Sequence, residues 1–524
     1  MKSALPQKIH TYIYIFALIV LVVGLPLSKF LMSVSQIILA CNWFLEGNVK
    51  NKISSFSKNK PALILSSVLL LHFLGLLYTT DFAYALKDIR IKSPLFIIPI
   101  IISTSQPLSK KNYLLILKLF LVAIVLATII STFILLGFTH RQIVDIRNSS
   151  IFISHIIFGL LVDVAVFIST YFLYNSENKL TKNLWIILIG WLLFFLFLME
   201  SITGFSILFF VLIILLIYFV FKSPNKILKI IGILILLSSI GFVYFYVASI
   251  QNEINKKEVI DFSKLPSKTP YGHRYENELN STLTENGHLV WVNVCWEELE
   301  CSWTKRSTIP LASNDLKGNL VRYTLVRFLA SKGLRKDADG MSKLSDLEIK
   351  SIERGVPNVL YQKMSGLRGR IHEILWEIDL YKKTGDPNGH SITQRFEYWK
   401  TAMQIIKKNP LIGVGTGDIQ HAFDDEYEKT NSPLSKDLRF RSHNQFLSIA
   451  VSFGLIGLIW FMFSLIYPMI KLNMTFDYLY ITFLIITIVS FFTEDALETQ
   501  AGITFYVFFN SFFLFAHKKD DLEN

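Results

Sequence analysis

The residue best placed for chemistry is His443, which stands where a long hydrophilic stretch gives way to apolar sequence. The hydrophilic stretch runs from about Gln251 to Ser442, and His443-Asn444-Gln445 opens the apolar segment. An imidazole can accept or hold a proton near neutral pH. At a bilayer surface it would lie where lipid-linked substrates present their head groups. Taken alone, an interfacial polar residue is the plainer interpretation of His443.

Arg395 lies upstream in a predicted amphipathic helix over residues 393–409. Ser391 or Thr393 can cap the start of this helix, and Asn409-Pro410 ends it. A cation in the first turn opposes the helix dipole, and a bound anion would offset that cost. A solvated surface arginine is the alternative. The predicted apolar face consists of Phe396, Trp399, Ala402, Met403 and Ile406.

Other basic side chains lie near predicted external ends of spans, where short loops are normally poor in Lys and Arg. Arginine forks hold a diphosphate in bidentate fashion, so these exceptions suit such a ligand, although a few external positive charges are also tolerated. The candidates are Arg90, Arg141 and Arg147, with His155 at the outer end of the sixth span. Asp163 lies two turns deeper, as a functional group or as the partner of another polar group.

The elements that must position these residues are membrane-spanning helices. Of the 524 residues, 52% are hydrophobic, and the mean hydropathy is +0.45. Apolar runs near 20 residues can each cross about 30 Å of hydrocarbon, and they lack the alternation of barrel strands. The sequence predicts an all-α polytopic membrane protein of about twelve transmembrane helices. The predicted spans are 11–27, 28–45, 61–78, 86–104, 112–138, 151–174, 184–199, 202–221, 227–250, 443–470, 476–493 and 499–516.

The lysines and arginines of the short loops set the predicted orientation. Both termini are cytoplasmic, and the segment between spans nine and ten is external. The predicted domains are an N-terminal bundle of about nine spans over 1–250, a large loop domain over 251–442 and a C-terminal bundle of about three spans over 443–524. The formal charge of +12 is partly this topological signal and gives little support for nucleic-acid binding.

The external loop domain is predicted to be mixed α/β and mainly helical. A strand is expected over 290–296, after a turn at Asn286-Gly287. Helices are expected over 320–332, 345–354 and 359–383. Cys295 and Cys301 both lie in this domain, where an oxidising compartment permits a disulfide between them. Zinc is not expected there, because no second ligand pair has suitable spacing.

Several motifs follow one another around His443. His443-Asn444 precedes Gly454-Leu-Ile-Gly457, and upstream stand Arg395…Trp399 and Pro410…Gly413-Val-Gly415. The glycine-rich segment is either an anion-binding turn or only a turn. In order, spacing and topology this ensemble resembles the O-antigen ligase / O-antigen polymerase family of bacterial envelope glycosyltransferases. The resemblance is best defined over about 150–460, and the twelve-span layout extends it to the whole chain.

The resemblance implies a GT-C-like fold in the bacterial inner membrane, with the long loop periplasmic. It implies inverting, metal-independent glycan transfer without a cofactor, from undecaprenyl diphosphate to lipid A–core. His443 matches the family's proposed base, and Arg395 matches the arginine that would bind the diphosphate. Arg147 looks like another diphosphate contact. Candidates for binding the acceptor are Glu494, Asp495 and Asn444, although a solvated loop explains the two acids equally well.

One departure from the family pattern stands at the outer start of the eighth span. Many members carry a Ser-Arg-Gly-like element there, whereas this chain reads Glu200-Ser201-Ile-Thr203-Gly204. Another cation, such as Arg90 or Arg141, would have to supply the charge, or the diphosphate is held differently. The alternatives in function are a polymerase of the same superfamily, a protein O-oligosaccharyltransferase and, less favoured, a transporter of lipid-linked sugars. A transporter would show an internal repeat and charges at mid-membrane, and no such repeat is visible.

Overall fold

The protein is mainly helical. A computed structural model describes residues 6–138, 149–256, 258, 260–363 and 367–517. The helices before residue 256 are α1 (Gln7–Leu27), α2 (Lys29–Leu45), α3 (Val49–Lys58), α4 (Lys60–Ser66), α5 (Val68–Gly75), α6 (Phe82–Lys92), α7 (Pro94–Thr104), α8 (Lys110–Leu135), α9 (His155–Tyr174), α10 (Lys179–Leu198), α11 (Ile202–Lys222) and α12 (Lys226–Asn255). The next are α13 (Trp296–Thr304), α14 (Val321–Ser331), α15 (Ala338–Ser342), α16 (Asp346–Glu353), α17 (Leu360–Lys363) and α18 (Leu367–Thr384). The last are α19 (Ser391–Lys408), α20 (Ile419–Lys429), α21 (Gln445–Lys471), α22 (Tyr478–Thr493) and α23 (Gln500–Phe515).

Membrane-spanning helices are present, as the hydropathy predicts. Among the described residues, seven helices are long and apolar enough to cross a membrane, or eight if the bent pair α2 and α3 is one span. The seven are α1, α8, α9, α10, α11, α12 and α21. All twelve predicted segments are helical, but the third is divided into α4 and α5 and the fourth into α6 and α7. The count of twelve spans therefore stays a prediction.

The chain divides into two compact units. Of the described residues, the first comprises 6–138, 149–215 and 394–517, and the second comprises those within 216–393. The core of the first unit centres on α23, which is buried along nearly its whole length. A helix that is apolar on most of its surface lies in a protein core or in a membrane. With 16 residues, α23 is shorter than the helices that are long enough to cross a membrane, yet its burial makes it an integral part of the fold.

The second unit has its own small core, which includes Trp303 and Phe328. Its only regular sheet within the described residues is a hairpin of β1 (Thr284–Glu285) and β2 (His288–Leu289). The Asn286-Gly287 turn joins these strands with positive φ at both residues, as such a sequence favours.

The predicted strand over 290–296 is wrong. Val290 and Val294 are buried, but they make isolated bonds to Leu283 and Glu276 instead of a continuous ladder. Asn293 interrupts the segment with a φ of 57°, and α13 begins at Trp296. Burial of alternate valines therefore reflects core packing around a turn, which hydrophobic patterning alone does not distinguish from a strand.

Candidate active site

A histidine and two carboxylates meet at one end of the helical pair α21 and α22. His443 lies just before α21, and Glu494 and Asp495 follow α22 directly. His443 Nδ1 is 3.5 Å from Asp495 Oδ1 and 3.9 Å from Glu494 Oε1. Because α21 and α22 are consecutive helices joined at their other ends, residues 51 and 52 positions apart in sequence come together here.

Fixed neighbours hold the backbone around His443. Asn444 caps α21 by accepting from the Leu447 amide at 3.0 Å, and its Nδ2 donates to the Phe492 carbonyl at 3.0 Å. The Ser442 carbonyl accepts from Trp399 Nε1 at 2.9 Å. His443 itself has a φ of 45°, in the left-handed region that costs a non-glycine residue about 1 kcal/mol or more. A strained residue fixed on both sides is typical of a functional position.

Arg395 reaches the same cluster from α19. Its Nη2 lies 3.7 Å from Glu494 Oε2, so Glu494 stands between the arginine and the imidazole. The helix starts at Ser391, two residues earlier than predicted, and Arg395 therefore opens the second turn instead of lying in the first. The dipole argument for an anion is weakened by this shift, because the dipole effect falls off within the first turn.

The apolar face of α19 also differs from its prediction. Ala402 and Ile406 are buried as expected, but Phe396 and Met403 are exposed. Tyr398 and Ile405 take their place in the core. The buried stripe is thus rotated, because the neighbouring helix α20 and the segment before α21 cover the side that carries Tyr398.

The pKa values within the cluster are driven apart. Burial lowers the pKa of His443, but the contact with Asp495 and the charge of Glu494 raise it more, so this pKa lies above its ordinary value. Burial and the charge of Asp495 raise the pKa of Glu494 to about 7. Burial also raises the pKa of Asp495, but His443 outweighs this effect and brings it below its ordinary range. At neutral pH Asp495 is a full anion and Glu494 is partly protonated.

Two buried atoms of the cluster lie near charged groups without a hydrogen bond to them. Neither His443 Nδ1 nor Glu494 Oε2 has a hydrogen-bond partner within the described part of the chain, although both atoms are buried. Unsatisfied buried polar atoms are rare and call for an explanation. The His443 side chain keeps 35% of its surface exposed, so a substrate can reach the ring. The ring lies between Tyr398 and Phe440, at centroid distances of 5.7 and 6.2 Å.

A second charged cluster, made of Lys92, Asp88, Glu498 and Arg441, lies beside the first. Lys92 Nζ is 2.9 Å from Asp88 and 3.0 Å from Glu498, and Arg441 Nη1 is 3.4 Å from Glu498. Lys92 is buried and its ammonium group is already paired with Asp88 and Glu498, so it serves the structure and is not free to bind a diphosphate. Sequence reasoning missed Arg441, although its place two residues before His443 on the predicted external side was a usable signal.

The glycine-rich segment before α20 is a packing element. The α21 helix is kinked at Gly454, with a φ of 64°, and the kink frees the carbonyls of Val451 and Ser452. These carbonyls accept from the Val414 and Gly415 amides at 2.9 Å each. The amides that could have bound an anion are therefore already used.

The remaining candidates are scattered. Arg141 and Arg147 lie outside the described residues. Arg90 is exposed on α6, and His155 opens α9 in a half-buried position. Asp163 is buried on α9, and its carboxylate has no hydrogen-bond partner within the described ranges.

The two external cysteines are free thiols in this structure, so the permitted disulfide is not formed. Cys295 is the buried residue that precedes α13, whereas Cys301 is exposed on that helix. Five helical residues lie between the two cysteines and turn their side chains to different faces, which is why the thiols do not meet.

The carboxylate–histidine group also has metal-like spacing. One ligand atom from each of His443, Glu494 and Asp495 can lie within 4.8 Å of the others. Two carboxylates and an imidazole are acceptable metal ligands. The geometry therefore allows a cation as well as proton transfer, and the two must be separated by experiment.

Fold and site together define a class: a polytopic helical membrane protein with a histidine, an arginine and two carboxylates gathered at the end of a hydrophobic helix. The O-antigen ligase family model matches residues 355–462, which include Arg395 and His443 and end before Glu494. The predicted resemblance to the O-antigen ligase / O-antigen polymerase family is confirmed by this match. Members of this family are glycosyltransferase-like enzymes that act on lipid-linked glycans. No curated protein matches the chain.

Proposed function

We propose that this protein is an O-antigen ligase-type glycosyltransferase that moves a glycan from undecaprenyl diphosphate to lipid A–core. The observation that carries the proposal is the meeting of His443 and Arg395 at Glu494 and Asp495, within a family that acts on lipid-linked glycans. The reaction takes place at the periplasmic face of the bacterial inner membrane. The 251–442 segment is periplasmic, between membrane bundles over 1–250 and 443–524.

His443 is the base in this mechanism. The carboxylate of Asp495 faces Nδ1 and favours the tautomer with its proton there, which leaves the Nε2 lone pair to accept a proton. An acceptor hydroxyl held at Nε2 loses its proton to the imidazole as its oxygen bonds to the anomeric carbon. The bond from that carbon to the diphosphate breaks, and attack from the opposite face inverts the configuration.

Arg395 stabilises the leaving diphosphate. Because the pKa of Glu494 is about 7, this carboxylate neutralises Arg395 only in part near neutral pH. The guanidinium therefore keeps charge for a phosphate, which it can bind in bidentate fashion. A fixed cation beside the leaving group acts where negative charge develops, so no metal is required for this step.

A deletion strain tests the proposal through its envelope glycolipids. We expect lipid-linked polymer to accumulate and lipid A–core to stay unglycosylated, and wild-type protein to restore the profile. His443→Ala and Arg395→Ala should fail to restore it although both insert in the membrane. Lys407→Ala, which removes an exposed cation from the same helix α19, should restore it fully.

Other outcomes of this experiment identify other functions. Lipid A–core that carries single repeats would show a polymerase. Normal glycolipids with under-glycosylated proteins would show a protein O-oligosaccharyltransferase. Full activity of His443→Ala or Arg395→Ala would remove that residue from the mechanism.

A further inference from the structure

A cleft is lined only by residues of the second compact unit. Its volume is about 880 Å³, within the range of about 300–1,000 Å³ that small-molecule sites occupy. The wall is built by α14, α18 and the segment before α19, and it mixes aromatic rings with charged and amide groups. The residues that matter below are Tyr323, Arg327, Trp376, Glu377 and His390.

Glu377 is the group that points to a ligand. Its side chain is 5% exposed, and Oε2 has no hydrogen-bond partner within the described residues. The His390 ring is the neighbour of the other oxygen, with Nδ1 at 3.7 Å from Oε1, beyond hydrogen-bond distance. A buried carboxylate oxygen without a hydrogen bond destabilises the fold, and a donor from a bound molecule would satisfy it.

Aromatic and basic groups line the same cleft beside Glu377. The Arg327 guanidinium lies over the Trp376 ring at 4.1 Å, and its Nε is held by Glu285 at 2.7 Å. This arrangement fixes a planar donor at the wall. Tyr323 is 41% exposed at another part of the cleft. Arg322 lies over its ring at 4.8 Å and Trp291 packs against it at 5.7 Å, and the part of the ring that stays exposed can contact a ligand.

The charges of the lining are nearly balanced. Lys317, Arg327 and Arg370 face Glu373 and Glu377, and Arg370 is already paired with Glu373. A polyanion such as a diphosphate would need an excess of free cations, which this wall lacks among the described residues. A neutral molecule rich in hydroxyl groups fits better, because carboxylates accept from hydroxyls, guanidinium groups donate to them, and aromatic rings pack on apolar C–H faces.

We propose that this cleft is a saccharide-binding site that holds a glycan segment during transfer. The binding itself stands on the cleft, and only its role in transfer rests on the proposed function. Both the glycan of the donor and the glycan of the acceptor present the same hydroxyl chemistry, so either can be the source of the ligand.

Binding to the full-length protein in lipid nanodiscs tests this site. The probes are core oligosaccharide released from lipopolysaccharide by mild acid and repeat-unit oligosaccharide released from the lipid-linked glycan of the same strain, titrated by saturation-transfer NMR. Glu377→Gln and Tyr323→Ala should each weaken binding about tenfold or more, the loss expected when a charged hydrogen bond or a stacking ring is removed. Glu300→Gln, which changes an exposed carboxylate of α13, should bind as the wild type does.

The oligosaccharide that binds shows which substrate the cleft holds. Binding of the core oligosaccharide alone assigns the cleft to the acceptor, and binding of the repeat unit alone assigns it to the donor. If neither binds, or if both cleft variants bind as tightly as wild type, the saccharide site is refuted. If Glu377→Gln does not fold, the Tyr323→Ala result decides. Because binding is measured without transfer, it can succeed even if the glycolipid analysis rejects a ligase.

Discussion

At the residue scale, the neighbouring carboxylates Glu494 and Asp495 differ in protonation because their surroundings differ. Asp495 faces His443 and stays charged, whereas Glu494 is raised to a pKa of about 7 by burial and by its charged neighbour. Environments that push the pKa values of adjacent groups apart are typical of acid–base sites. Asp495 is suited to orient the imidazole, and Glu494 to modulate Arg395.

This arrangement fixes the sign of the pH dependence. A base must be neutral, and the pKa of His443 is raised, so transfer should fall as the pH drops through a value above 6.5. Asp495→Asn removes a charge that raises this pKa, so the acid limb should move to lower pH while the maximal rate falls. The measurement is the rate of transfer against pH. Asp437→Asn, which changes an exposed carboxylate six residues before His443, should leave the acid limb where it is in the wild type. If the acid limb of Asp495→Asn does not move either, the role of Asp495 is contradicted.

Metal dependence is a separate prediction for the same cluster. Because Asp495 and Glu494 already face His443 and Arg395, we expect transfer by purified protein to be unchanged by an excess of EDTA. If EDTA abolishes activity and one divalent ion restores it, His443, Glu494 and Asp495 instead form a metal site.

At the element scale, α21 depends on a close approach at its kink. A Cβ on Gly454 would lie 2.2 Å from the Leu411 backbone carbon, and its φ is 64°. Gly454→Ala should therefore destabilise the protein by about 2 kcal/mol or more, through overpacking and backbone strain. Gly190→Ala on α10 meets nothing within 4 Å and should be neutral or slightly stabilising. Thermal unfolding in detergent compares the two, and equal melting temperatures would refute the packing role of the kink.

The sequence predicted elements where local pattern decides them. Long apolar runs identified the helices, and Asn286-Gly287 identified the turn, because run length and left-handed φ are local properties. The divided third and fourth segments and the rotated face of α19 were missed, since they depend on which neighbour covers which side. Arg441 was missed for the same reason: its partner Glu498 lies 57 positions away.

The candidate site was predictable in part. His443 and Arg395 follow from position and from the family resemblance, and Glu494 and Asp495 were named for a different role, acceptor binding. Their contact with His443 needs the pairing of α21 with α22, which no local pattern contains.

At the scale of the whole molecule, topology is testable through one thiol. Cys301 is exposed, whereas Cys295 is buried and burial raises the pKa of its thiol. If the long loop is external, a membrane-impermeant maleimide should label Cys301 in intact spheroplasts, and Cys301→Ser should abolish that labelling. Labelling that requires permeabilised membranes would place the loop in the cytoplasm.

The left-handed backbone at His443 has a consequence for thermal stability. Glycine normally lowers stability relative to alanine, but at a φ of 45° the order reverses, because alanine carries a Cβ penalty that glycine avoids. His443→Gly should therefore have a higher melting temperature than His443→Ala, and its free energy of unfolding should be larger by about 1 kcal/mol. Both variants should be inactive. The opposite order would show that the backbone relaxes when the imidazole is lost. With the predicted order, histidine at this position carries a backbone cost that glycine would avoid, as expected where the imidazole is kept for activity.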